Sequence, residues 1–182
     1  MNVLNKISEE LLRFFLSLKE DDWIKWEAQE NEYYDNCDKY NGCYFIVKQM
    51  PKYPQHPFCQ CKLYKIAKPI PNITSEANAD IRKFTDYVFS EKYDDGKKTL
   101  FENWGYNIGD SVYLQQLFVS QALQKYCDGD YCFKGTGQFN ANIQITIELP
   151  TDSGKMQKIK TGWAVYPGGV IKLLTPFTGF IK

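Results

Sequence analysis

"QFNANIQITIEL", residues 138–149, decides the fold: Phe139, Ala141, Ile143, Ile145, Ile147 and Leu149 alternate without exception with Gln138, Asn140, Asn142, Gln144, Thr146 and Glu148. Strict period-two alternation of this length describes a strand with one face in a core and one in water. "PTDSG" then reverses the chain, and Ile159, Thr161, Trp163 and Val165 repeat the alternation. "PGG" turns it again into "VIKLLT", residues 170–175, so the spacing predicts an antiparallel meander.

Upstream of the meander the apolar period lengthens to that of helices. Ile81, Phe84, Tyr87 and Val88 predict a short helix, and Leu100, Phe101 and Trp104 a second, closed by Gly105. A third runs to about residue 125, with Asp110 as its cap and Val112, Leu114, Leu117, Phe118 and Ala122 as its apolar face. Three helices followed by an antiparallel meander make an α+β domain, assigned to residues 79–182.

"AKPIPNITSEAN", residues 67–78, mixes prolines with small polar residues and reads as a linker. Before it, residues 1–66 carry an amphipathic helix over 6–20, marked by Ile7, Leu11, Leu12, Phe15 and Leu18, and a loop-rich stretch over 30–65. Short extended pieces near "CYFIVK" and "CKLYKI" give that stretch a thin core, and a segment of this kind ordinarily needs a metal or a cross-link.

Composition bounds the function. The chain has 182 residues, 43% apolar and 24% charged, which is globular rather than disordered. No apolar run approaches the roughly 18 to 20 residues of a membrane span, so no membrane role is expected. "MNVLNKISEELL" is no conventional secretory leader, and residence in a bacterial cytoplasm, or on a virion, is the expectation. Net charge is zero, but residues 131–182 hold six lysines against Glu148 and Asp152, which makes the C-terminal end basic. Lysines at strand edges also simply keep a sheet soluble.

Six cysteines without a leader read as metal ligands or buried thiols before disulfides. Cys37, Cys43, Cys59 and Cys61 surround the single histidine, His56, whereas Cys127 and Cys132 flank "DGDY". The second pair reads as two thiols near the ends of one turn, or as a cross-link in an oxidising setting.

Two family resemblances rest on these residues. "WIKWEAQENEYYDNCDKYNGCYFIVKQMPKYPQHPFCQC", residues 23–61, resembles the C-terminal part of phage Mu F-like minor head proteins. There a tryptophan-containing strand, a C-x-x-C pair, a glycine turn, an apolar strand and an HP-x-C-x-C ending follow in that order. By position, Cys37 corresponds to the second cysteine of the pair, Asn41-Gly42 to the turn, and His56, Cys59 and Cys61 to the ending. Tyr34 replaces the first cysteine, and Cys43 is an addition. Residues 80–182 are similar, through "DIRKFTDYVFS", "DGKKTLFENWGY", "GTGQFNANIQITIEL", "IKTGWAVYPGG" and "KLLTPF", to an uncharacterised domain. That domain recurs at the C-termini of Mu F-like proteins and bacterial polymorphic toxins.

Chemistry then suggests candidates. Neutral imidazole and thiolates suit a tetrahedral structural zinc held by Cys37, His56, Cys59 and Cys61. A disulfide, unligated thiols packed in a proline-rich turn, or a thiol nucleophile paired with His56 are the alternatives. For the C-terminal domain the resemblance implies a toxin, and the expectation is a metal-independent ribonuclease. With no histidine after residue 56, Lys97, Lys98, Thr161 and Thr175 are its candidate catalytic residues. Trp163, Lys158 and Lys160 are its candidate RNA contacts, Trp163 by stacking a base. Partners in this reading are RNA and an immunity protein. The competing readings are a head-associated structural protein bound to phage head proteins and an RNA-binding module without catalysis.

Overall fold

The computed structural model describes residues 9–29, 37–56, 59–69, 76–92, 96–138 and 140–181. Ile7, Tyr34, Pro57, Phe139 and residues 70–75 of the 67–78 linker lie outside these residues.

The fold is α+β, built on two sheets. Helix α1 (Glu9–Ser17) precedes a three-stranded antiparallel sheet of β1 (Trp23–Glu27), β2 (Tyr44–Ile46) and β3 (Lys62–Ile66), with β1 central. The second sheet has the order β4-β8-β7-β6-β5, formed by β4 (Glu76–Asn78), β5 (Cys132–Thr136), β6 (Ala141–Pro150), β7 (Met156–Tyr166) and β8 (Val170–Phe180). The meander β6-β7-β8 is the one the alternation predicts, but each edge carries a strand the sequence does not announce. At one edge β4 pairs parallel with β8, Glu76 opposite Val170. The sheet is therefore mixed, and the stretch read as a linker ends inside it. At the other edge β5 pairs antiparallel with β6 through a bulge between Phe133 and Gly135.

Between β4 and β5 run a π-helical turn (Lys83–Val88), α2 (Lys97–Glu102) and α3 (Ser111–Asp128). Asp110 does not cap α3 with its side chain. Its carboxylate accepts from the Asn107 backbone N–H at 2.8 Å, while Asn107 Oδ1 accepts from Gly109, closing the turn before the helix. Leu114, Phe118, Ala122 and Tyr126 of α3 are fully buried, four residues apart as one face demands, whereas Val112, expected on that face, is exposed. Against them lie Ile143, Ile145, Ile147 and Leu149 of β6, each contributing about 1.5–3 kcal/mol by burial. Beyond Gln144 the outer edge of β6 has no strand beside it among the described residues, and α3 supplies the partner. Gln121 donates to the Glu148 carbonyl at 2.8 Å and accepts from its N–H at 2.9 Å.

The two sheets share one continuous core, which includes Trp23, Phe45 and Ile46 as well as Tyr126, Cys127 and Tyr131. Polar contacts cross the same boundary: Tyr126 Oη donates to the Tyr44 carbonyl at 3.0 Å, and Gln49 donates to the Gly129 carbonyl and accepts from Phe133 N–H. The N-terminal module is docked on the α+β domain, not merely tethered to it.

Candidate metal centre and open sheet face

Cys37 enters the turn Asp38–Tyr40, and His56, Cys59 and Cys61 lie on the chain leading into β3. The ligand atoms of Cys37, His56 and Cys59 fall within 4.8 Å of one another. Cys37 Sγ and Cys59 Sγ are 3.6 Å apart, much too far for the roughly 2.05 Å of a disulfide. A tetrahedral ion with metal–sulfur bonds of about 2.3 Å holds its sulfurs about 3.8 Å apart, so the observed spacing fits a shared metal. The Cys61 thiol contacts those of Cys37 and Cys59. Burial, and then the neighbouring thiols, push the Cys37 thiol far above its ordinary range, and burial raises Cys61 as well. Ionising such a cluster is costly until a cation is present to offset the charge. Cys37, His56 and Cys59, with Cys61 beside them, can hold a metal ion.

Cys43 stands apart from this group. It is fully buried, its Sγ donates to the carbonyls of Tyr166 (3.3 Å) and Lys39 (3.6 Å), and burial pushes its thiol up to about 12. It joins the module to β7 instead of completing the ligand set. Cys127 is buried at the end of α3, Cys132 is exposed at the start of β5, and no two of the six cysteines form a disulfide.

The residues proposed for RNA separate into two sets. Thr161 and Trp163 face the core and are fully buried; Thr161 Oγ1 donates to the Ile145 carbonyl at 2.8 Å and accepts from Trp163 Nε1 at 2.7 Å. Both hydrogen-bonding groups are consumed inside the sheet, so neither residue touches a substrate, and their assignments as catalytic and stacking residues are corrected. Lys98 pairs with Glu91 at 3.7 Å. Lys97 and Lys98, two of the candidate catalytic residues, open α2, which has only six residues and few aligned peptides to supply a dipole for a phosphate.

The other set gathers on the opposite, open face of the sheet. Lys160 and Lys158 stand opposite Thr146 and Glu148, with a 3.1 Å ion pair from Lys158 to Glu148. Gly162 lies opposite both Gln144 of β6 and Thr175 of β8. A Cβ there would meet Thr175 and Thr178 at 3.7 Å, so the glycine forms the floor of a shallow trough whose walls are those two threonines. Gln144 Nε2 donates to Thr178 Oγ1 at 3.1 Å, and Thr178 donates to the Lys160 carbonyl at 3.0 Å. Exposed Lys172 is next along β8. Thr178 also borders a cleft of about 220 Å³ between α2 and β8, lined by Gly96, Lys97, Leu100 and Phe177. Lys97 Nζ lies 4.6 Å from the centre of the Tyr87 ring. Sequence reasoning misses Thr178, Phe177 and Gln144, although the alternation places Gln144 on the polar phase of β6, the phase that faces outward with Lys160.

No curated protein and no solved structure matches the chain. Residues 69–179 match the domain of unknown function DUF6883. That span is more than half of the chain, and the protein belongs to the DUF6883 family.

Proposed function

We propose that this protein is a toxin-type effector acting on RNA, in which a zinc-stapled N-terminal module carries a C-terminal RNA-directed domain. Zinc is the ion that three thiols and one imidazole favour, and a four-ligand set leaves no open position for substrate, so its role is structural. Cys37, His56, Cys59 and Cys61 would hold it, and the ion would supply the stabilisation that so small a sheet lacks.

The observation that carries the RNA reading is the open sheet face. Lys160 and Lys172, with Lys97 across the α2–β8 cleft, offer charge to phosphates, while Gln144, Thr175 and Thr178 offer hydrogen bonds around a glycine floor. Half-buried Phe177 provides an aromatic surface beside Lys97. Cleavage is what the resemblance to toxin domains adds. Expression of the full chain should arrest bacterial growth, and the purified protein should fragment total RNA. Intact growth together with intact RNA would remove the reading.

A second reading, binding without catalysis, is favoured by one fact: the chain's single imidazole lies in the cluster with Cys37 and Cys59, leaving none for acid–base work on the open face. Salt-sensitive RNA binding with uncut RNA would support it. Co-purification with phage head particles, without toxicity or RNA binding, would favour the head-associated structural role.

A further inference from the structure

Trp26 is fully buried on the central strand β1, and its Nε1–H is enclosed without a hydrogen bond of ordinary geometry. An orphaned indole N–H in a core is uncommon and costs about 1–3 kcal/mol in desolvation. The ring cannot easily turn to find another acceptor. Tyr40 and Tyr53 pack on it with ring centres at 4.8 and 5.4 Å, and the backbone on both sides is fixed by Trp26 N–H to the Cys43 carbonyl and Gly42 N–H to the Trp26 carbonyl. What the indole N–H faces is the Cys61 thiol. Tyr53, one of the two packing rings, donates its hydroxyl to the Cys61 carbonyl at 2.8 Å, so backbone and side chain of Cys61 are both presented to this aromatic pair.

We infer that Trp26 is a positioning residue of the metal centre: its Nε1–H donates to Cys61 Sγ when that sulfur is a metal-bound thiolate, and so fixes Cys61 as the fourth ligand beside Cys37, His56 and Cys59. This inference rests on the metal reading above and adds to it a specific donor and a specific ligand. A neutral thiol is a weak acceptor, whereas a metal thiolate is an anionic one, so the indole finds its partner only in the loaded protein. Groups that hold metal ligands in this way commonly account for about 10- to 100-fold in metal affinity.

The test replaces Trp26 in the full chain by phenylalanine and, separately, by the benzothiophene analogue of tryptophan, which keeps the bicyclic shape but carries sulfur in place of N–H. The probes are zinc, by chelator competition, and cobalt(II), by its thiolate-to-metal charge-transfer band. Both variants should bind zinc about 10- to 100-fold more weakly. The cobalt band should move to longer wavelength, because a thiolate without its hydrogen bond gives up charge more readily. The analogue keeps the inference testable if Trp26→Phe fails to fold. An analogue with wild-type affinity and an unshifted band overturns the role of Trp26 while leaving the metal site standing. A wild-type protein that takes up neither ion overturns both.

Discussion

Gly42 of the N-terminal module rests against Gly168 of the β7–β8 turn: a Cβ on Gly42 would come within 2.9 Å of Gly168 N and 3.2 Å of its Cα. Gly168 N–H donates to the Asn41 carbonyl at 3.1 Å, and Gly42 holds a φ of +73°, which a β-carbon resists. Both demands fall on one residue. Gly42→Ala should therefore cost about 2 kcal/mol or more, from the left-handed backbone and from the backbone contact together. Thermal unfolding would show it as a drop of several degrees. A variant as stable as wild type would mean that this turn docks more loosely than the geometry states.

The shared core makes a second prediction about the metal. Purified, reduced protein should carry about one zinc per chain, and Cys37→Ser or Cys59→Ser should lose it. Because the module and the domain share Tyr126–Tyr44 and Gln49–Gly129 hydrogen bonds, removal of the ion should lower the unfolding temperature of the whole chain, not of residues 30–65 alone. A ligand held at a thousandfold over its dissociation constant contributes about 4 kcal/mol, a shift of roughly ten degrees for a protein of this size. Two separate transitions in the chelated protein, with the upper one unmoved, would contradict the coupling.

The alternation in residues 138–149 is sufficient to place the meander, because a half-buried strand writes its two faces directly into the sequence. It does not say which face of β7 holds the function. Thr161 and Lys160 are adjacent, and their roles diverge only through register: Thr161 opposes Ile145 in the core, Lys160 opposes Thr146 outside. A threonine and a tryptophan on the apolar phase of the strand already belong to the core pattern, and the core accounts for both. The edge strands are illegible for another reason. Glu76–Asn78 and Cys132–Thr136 are short, and they become strands by pairing with β8 and β6 rather than by their own propensity. The metal cluster is legible as composition and spacing; the orphaned indole of Trp26, contributed by β1, is not, since nothing local links residue 26 to residue 61.

Thr161→Val separates these readings of β7. The substitution keeps shape and β-propensity but leaves Trp163 Nε1 without its acceptor and the Ile145 carbonyl without its hydroxyl donor, both inside the core. Stability should fall by about 1–3 kcal/mol, read by denaturant unfolding. RNA binding per folded molecule should not change. A stable protein that no longer binds RNA would return Thr161 to the site.

The open face yields the last prediction. If RNA lies across the trough, Lys160→Ala and Lys97→Ala should each weaken binding and each reduce the salt dependence, lowering the slope of log K against log salt by about 0.7 to 1 for every phosphate no longer neutralised. The two lysines flank Thr178 from different elements, so the double variant should reduce the slope by about the sum of the two single effects. Thr178→Val should weaken binding with the slope intact, since it removes a hydroxyl and no charge. Lys98→Ala is the control, because that side chain is paired with Glu91. Equal effects at Lys97 and Lys98 would indicate a diffuse electrostatic attraction, and unchanged slopes at Lys97 and Lys160 would place the RNA elsewhere on the molecule.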